Sequence, residues 1–258
     1  MINASEIYKK GSDLYFEAKN AKRVSKEQSS WYISGLGTCM VARYLKRKAL
    51  LPEQPIDDRL REVFDIGDME ESIFVDRLKL VPGFKFETQG RVEDKTLGIS
   101  GYYDLKITDE TTGESSIIEH KSKHSRAFWY MDKKKEGANL HHKMQLWSYL
   151  FLDKVETGSI FYRSKDDRCT LEYPLFRTDE EVKKLVMTEL AILNYCLKND
   201  IVPPLPEKKS WQENYCDCHD TCKKYWEENK HLTFEEVPNE EEHKELAELL
   251  TTYYNYEV

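Results

Sequence analysis

What this chain does not contain narrows its class first. Its longest apolar stretch, Leu146 to Leu152, is far shorter than the ~20 residues a membrane-spanning helix needs. Its first residues carry no apolar signal core, so a cytoplasmic protein is expected. No internal repeat is present. There is no excess of positive charge either: 39 Lys and Arg against 47 Asp and Glu leave a net charge of −8. That balance argues against a protein that coats nucleic acid by bulk electrostatics. It leaves open an enzyme on nucleic acid, whose phosphate contacts need only a local basic track. Six cysteines, Cys39, Cys169, Cys196, Cys216, Cys218 and Cys222, are present in a chain that is neither marked as secreted nor too small to build a core, so a disulfide framework is not expected. What remains is the composition of an ordinary globular protein, 258 residues with 40% hydrophobic and 33% charged, enough for one good-sized core with a small appended piece.

Along the chain the pattern changes twice. A polar, Lys-rich start carries a weak helical stripe (Tyr8, Leu14, Tyr15, Ala18). Helical spacing then recurs from Thr38 to Lys48, and again from about Asp57 to Leu80, with Leu60, Val63, Phe64, Ile73, Phe74 and Leu78 expected toward a core. Phe84 to Val92, Leu97 to Ile107 and Ser115 to Lys121 read as strands of an antiparallel meander. A helix follows from Gly137 to Leu152, strands from Ser159 to Arg163 and Thr170 to Phe176, and a helix from Thr178 to Leu197. Pro203 to Pro206 forms a stiff connector before a cysteine cluster, an acidic stretch and a last helix near Glu240 to Tyr253. This order predicts an α/β fold of the mixed α+β kind, a central mixed β-sheet flanked by helices. The expected division is an N-terminal helical extension at 1–33, a core at 34–222 and an acidic helical tail at 223–258.

The chemistry concentrates where strand gives way to helix. Asp104, in Gly101-Tyr102-Tyr103-Asp104, and Glu119, in Glu119-His120-Lys121, fall on neighbouring strands, where two carboxylates and the His120 backbone carbonyl could hold one hard cation such as Mg²⁺ or Mn²⁺. Residues two apart on a strand share a face, so Lys121 stands beside Glu119. An ammonium there can hold a water and stabilise charge developing on a phosphate. Gln145 and Tyr149 are four apart on the next helix, on one of its faces. Glu-x-Lys alone is weak, since it recurs at Glu242-His243-Lys244 and elsewhere. Order and context give it weight.

Gly101-Tyr102-Tyr103-Asp104, Glu119-His120-Lys121 and Gln145-Leu146-Trp147-Ser148-Tyr149 together resemble the RecB-like branch of the PD-(D/E)XK nucleases. That branch orders a Gly-x-x-x-His helix, a Gly-x-x-Asp strand, a Glu-x-Lys strand and a Gln-x-x-x-Tyr helix. Gly67-Asp68-Met69-Glu70-Glu71 matches the first except that Glu71 stands in place of His, a change compatible with a Mg²⁺ or Mn²⁺ ligand. The resemblance implies a restriction-endonuclease-like core and catalysis by Asp104, Glu119, Lys121, Gln145 and Tyr149. It implies metal ligation by Glu71, Asp104, Glu119 and His120. The function implied is a divalent-metal-dependent deoxyribonuclease, an exonuclease on single-stranded DNA or DNA ends, in recombination, repair or replication. A catalytically silent DNA-binding or assembly module and a structure-specific endonuclease are the alternatives.

Cys39 before the core and Cys216, Cys218 and Cys222 after it resemble the ligands of the CRISPR-associated and AddB-type members, in which four thiolates hold a [4Fe–4S] cluster. Structural Zn²⁺ suits four thiolates equally, and Cys-x-Cys departs from the usual Cys-x-x-Cys. Arg43, Arg47, Lys123 and Arg126 are candidate phosphate contacts. Trp129 and Tyr130, within a stretch from His124 to Glu136 expected to be a substrate-contacting loop, are candidate stacking surfaces for unpaired bases. The Lys-, Tyr- and Asn-containing composition would suit a bacterial or phage gene.

Overall fold

The computed structural model describes residues 4–20, 27–51, 58–134, 137–205 and 218–233. Its centre is the meander β2 (Phe84–Asp94), β3 (Ile99–Asp109) and β4 (Ser115–Lys123), antiparallel throughout. Aspartate closes both hairpins. Asp94 Oδ1 accepts the backbone N–H groups of Thr96 and Leu97, and Asp109 Oδ1 those of Thr111 and Thr112, the local turn that Asx side chains favour. Gly98 and Gly113 follow at φ 67° and 74°, a region open to glycine.

After β4 the chain crosses over through α4 (Ser125–Lys134) and α5 (Leu140–Asp153) to β5 (Thr157–Ser164), which lies parallel to β4; β6 (Thr170–Phe176) then turns back antiparallel. A short β1 (Trp31–Tyr32) pairs in parallel with the start of β3. The six-stranded sheet runs β1-β3-β4-β5-β6, with β2 on β3. It is therefore mixed, as expected. Because Trp31 and Ile33 are buried in the core, the sheet begins inside the stretch expected to be an N-terminal extension.

Helices cover both faces. On one side α2 (Met40–Arg47), α5 and α6 (Glu180–Asn199) pack with the sheet around Ile117, Tyr103, Ile160, Leu146, Leu150, Leu190 and Leu193. α5 is buried from Met144 to Leu150, which explains its nearly unbroken apolar sequence. On the other side α3 (Asp58–Leu78) sets Val75 on Leu105 and Ile118. Its N-terminal half differs from the sequence expectation, since Val63 and Phe64 are exposed while Glu70 is buried. α1 (Ala4–Asn20) joins α3 through a hydrogen bond from the Tyr15 hydroxyl to Asp65.

The stretch expected to be a loop from His124 is instead helix α4, which buries Phe128 and Met131. α7 (His219–Glu228) runs through the expected boundary at 222. The helix expected near Glu240 to Tyr253 lies outside the described residues, among which no helix is long and apolar enough to cross a membrane.

Candidate active site

β3 and β4 pair only from Leu105–Ile118 to Thr108–Ser115; beyond that they part. At the fork β3 also changes face. Tyr103 packs in the α5-side core and Leu105 in the α3-side cluster, although residues two apart on a regular strand point the same way. The turnover falls at Asp104, across from Gln89, whose φ is 52°. Here the Asp104 carboxylate takes the place of a strand partner. Its Oδ2 accepts the His120 N–H at 2.8 Å.

Glu119 is fully buried, and Lys121 Nζ donates to its Oε1 at 2.5 Å. Its Oε2 has no hydrogen-bond partner. Behind them Gln145 Nε2 donates to the Tyr149 hydroxyl at 3.2 Å, both side chains buried on α5. The glycine of Gly-Tyr-Tyr-Asp has a steric reason: a Cβ on Gly101 would stand 3.0 Å from both Ile33 and Tyr149. From α3, Glu71 accepts a hydrogen bond from Gln89 at 2.8 Å.

The charges in this fork act on one another. Burial, then the nearby Glu119, pushes the Asp104 carboxyl up to about 7, against the opposing pull of Lys121 and the His120 N–H. Burial likewise raises Glu119, opposed by Lys121. Glu71 is raised by burial and by Asp104. Burial pulls Lys121 down, but Glu119, Asp104 and Glu71 outweigh it and hold the ammonium protonated. The His120 ring points elsewhere, stacked 4.9 Å from Phe74 on the α3 side, and burial lowers it to about 4. His120 thus meets the site through its backbone and not its imidazole.

Among the described residues no three His, Cys, Asp or Glu side chains converge as a ready metal cage. The donors that are present nevertheless suit a hard cation, because Glu119 offers a buried carboxylate oxygen with no partner, beside Asp104. Mg²⁺ is commonly held by one or two carboxylates and keeps several of its waters.

No protein-family model matches the sequence, and no curated protein matches it. Solved structures do match in shape. SSO0001 aligns at TM-score 0.53 and 23% identity, over 84% of this chain and 96% of its own. An alkaline exonuclease, LHK-Exo from Laribacter hongkongensis, aligns at 0.52 and 13% identity over 73% of this chain and 93% of its own, and its complex with dAMP at 0.51. The fold is restriction-endonuclease-like.

Within this restriction-endonuclease-like fold the other candidate residues fall into two groups. Arg43 is buried and ion-paired with Glu189 of α6, which turns it away from the surface where a phosphate contact was expected. Arg47 is likewise committed, donating to the Ser29 and Gly98 carbonyls and lying 4.3 Å over the Trp31 ring. Lys123 lies over the Tyr162 ring at 5.2 Å. Arg126, Trp129 and Tyr130 are exposed on α4. Cys39 precedes α2, and α7, which carries Cys222, packs against α2. Cys222 is buried and Cys39 and Cys218 half-buried, whereas Cys216 lies outside the described residues. Sequence reasoning missed Gln89, Glu70 and Arg163. Glu70 stands inside Gly67-Asp68-Met69-Glu70-Glu71, but nothing in the sequence marks its burial or its partners, and Gln89 and Arg163 lie in no motif, because each is recruited by tertiary contact.

Proposed function

We propose that this chain is a divalent-metal-dependent DNA nuclease, an exonuclease acting on single-stranded DNA or DNA ends, in recombination, repair or replication. The observation that carries the reading is Glu119, a fully buried carboxylate with one oxygen on Lys121 and the other without a partner, next to Asp104 at the fork of a restriction-endonuclease-like sheet. Burying a carboxylate is costly unless something compensates it. Asp104 and Glu119, with the His120 carbonyl and Glu71, would hold the cation, which when bound polarises the phosphate and acidifies water. The dAMP bound by the alkaline exonuclease of the same fold supports a nucleotide-containing substrate.

In this reading Lys121 orients the attacking water and stabilises charge on the phosphate. The water oxygen bonds to phosphorus, the ester oxygen leaves as an alcohol, and a proton passes to it. Asp104 is held to the His120 N–H, and Gln145 and Tyr149 back the site from α5. Cys39, Cys216, Cys218 and Cys222 would hold a [4Fe–4S] cluster or a structural Zn²⁺, away from the reacting phosphate.

The test is Lys121→Ala with Mg²⁺ or Mn²⁺ supplied. Cleavage of linear single strands is expected to fall by roughly 10²–10³-fold while DNA binding holds, read on protein shown to be folded, because removing the partner of the buried Glu119 also lowers the melting temperature. Full activity in this variant would overturn the assignment. Circular single strands, which have no ends, are expected to be spared, and their cleavage would make the enzyme an endonuclease.

A further inference from the structure

We propose that Glu70, the residue before Glu71, is a positioning residue whose ion pair with Arg163 sets the rotation of α3 and so the reach of Glu71 into the metal site. The proposal rests on the nuclease reading. Glu70 is only 2% exposed and Arg163 6%; their charges meet at 3.2 Å without hydrogen-bond geometry at that carboxylate oxygen, and Arg168 donates a hydrogen bond to the other oxygen. Two buried charges are weak evidence for stability, since an apolar pair of similar volume often does as well. What the pair supplies is an anchor between α3 and β5.

Gly67, Glu70 and Phe74 share a helix face by their three- and four-residue spacing, and each meets the back of the catalytic strand or its neighbour. A Cβ on Gly67 would lie 3.9 Å from Ser122 Oγ. Glu70 reaches Arg163, the register partner of Ser122. Phe74 stacks on His120 and Phe161, which are also register partners. α3 is therefore fixed against β4 and β5 on both sides of Lys121. Glu71, one residue on and turned toward β2, is held there by Gln89. A roll of α3 by ~20° would carry a side chain ~5–6 Å from the axis through ~2 Å, and displacements of that size matter greatly at reacting centres. The β5–β6 turn that supplies Arg168 also caps α4, through the Ser125 N–H to Asp166 at 2.9 Å.

The experiment is a Mn²⁺ titration of the full chain by electron paramagnetic resonance, without DNA, on the wild type, on Glu70→Gln and on the double variant Glu70→Gln/Arg163→Met. The double variant leaves no charge buried at this pair and so remains folded if the single one does not. Both are expected to bind Mn²⁺ ~10-fold more weakly, as loss of a group supporting a metal ligand typically does, with nuclease activity recovering to within ~3-fold at saturating metal. Unchanged Mn²⁺ affinity in a folded variant overturns the proposal, as does a rate loss at saturating metal without an affinity change. A wild type that binds no Mn²⁺ and cleaves no DNA with Mg²⁺ or Mn²⁺ supplied removes the nuclease reading and this proposal with it.

Discussion

Arg43 shows how far a single residue's meaning depends on a partner the sequence does not reveal. Beside Lys46, Arg47 and Lys48 it reads as the basic side of an amphipathic helix. In the fold, α2 is buried on more than one side, from Met40 to Leu45, and Arg43 meets Glu189, which is fully buried and also accepts the Gly37 N–H at 2.9 Å. Removing the arginine would leave Glu189 as an uncompensated interior charge. Arg43→Met is therefore expected to cost ~3–5 kcal/mol, a melting temperature lower by roughly 10 °C, with much of the loss restored by adding Glu189→Gln. A phosphate-contacting arginine would give the opposite result, an unchanged melting temperature and weaker, less salt-dependent DNA binding. The charge of Arg43 was legible. Its burial was not, because the partner is far away in sequence. Gln89, Glu70 and Arg163 escaped reading for the same reason, whereas Glu119 and Lys121 share a face of β4 as their two-residue spacing predicts, and Asp104 comes beside them only through the turnover of β3.

At the level of elements, legibility follows the length of the apolar pattern. β2 to β4, α5 and α6 each repeat their period several times, and they form close to where that period places them. α4 offers only Phe128 and Met131 to the core, less than two turns of signal, and its first N–H is satisfied by Asp166 from a distant turn. It therefore reads as a loop. The consequence for function is that Trp129 and Tyr130 are presented by a helix and not by a loop. They are 52% and 40% exposed, with ring centroids 5.4 Å apart edge to face, while Phe128 holds the same helix to the core. An aromatic fixed in this way can stack an unpaired base without first being ordered. Trp129→Ala is expected to weaken single-strand binding by ~1–3 kcal/mol, measured by fluorescence anisotropy, and to leave the thermal melt unchanged because the ring packs on little else. Equal affinity in the variant would remove α4 from the substrate track.

At the scale of the whole molecule, what matters is how the two ends of the chain are held together. Trp31 Nε1 donates to Asn194 at 2.7 Å, Arg43 pairs with Glu189, Lys48 pairs with Asp200, and α7 lies on α2, so protein contacts bring the first and last described helices of the core together. A thiolate-bound metal would add a closure spanning nearly the whole core, constraining the unfolded chain much as a long disulfide loop does. Cys39 allows that contribution to be tested by sign. It is the N-cap of α2 and makes no side-chain capping hydrogen bond, whereas serine is among the preferred N-cap residues, worth ~0.5–2 kcal/mol over a non-capping one. If Cys39 is only a cap, Cys39→Ser should hold or raise the melting temperature and leave the metal content as it was. If its thiolate is a ligand, the same change should lower the melting temperature and strip iron or zinc from protein purified without oxygen. A visible absorption band accompanying the lost iron would identify the cluster, and zinc without colour the structural ion. The second outcome is expected. A stabilised variant with unchanged metal would show that protein contacts alone join the ends.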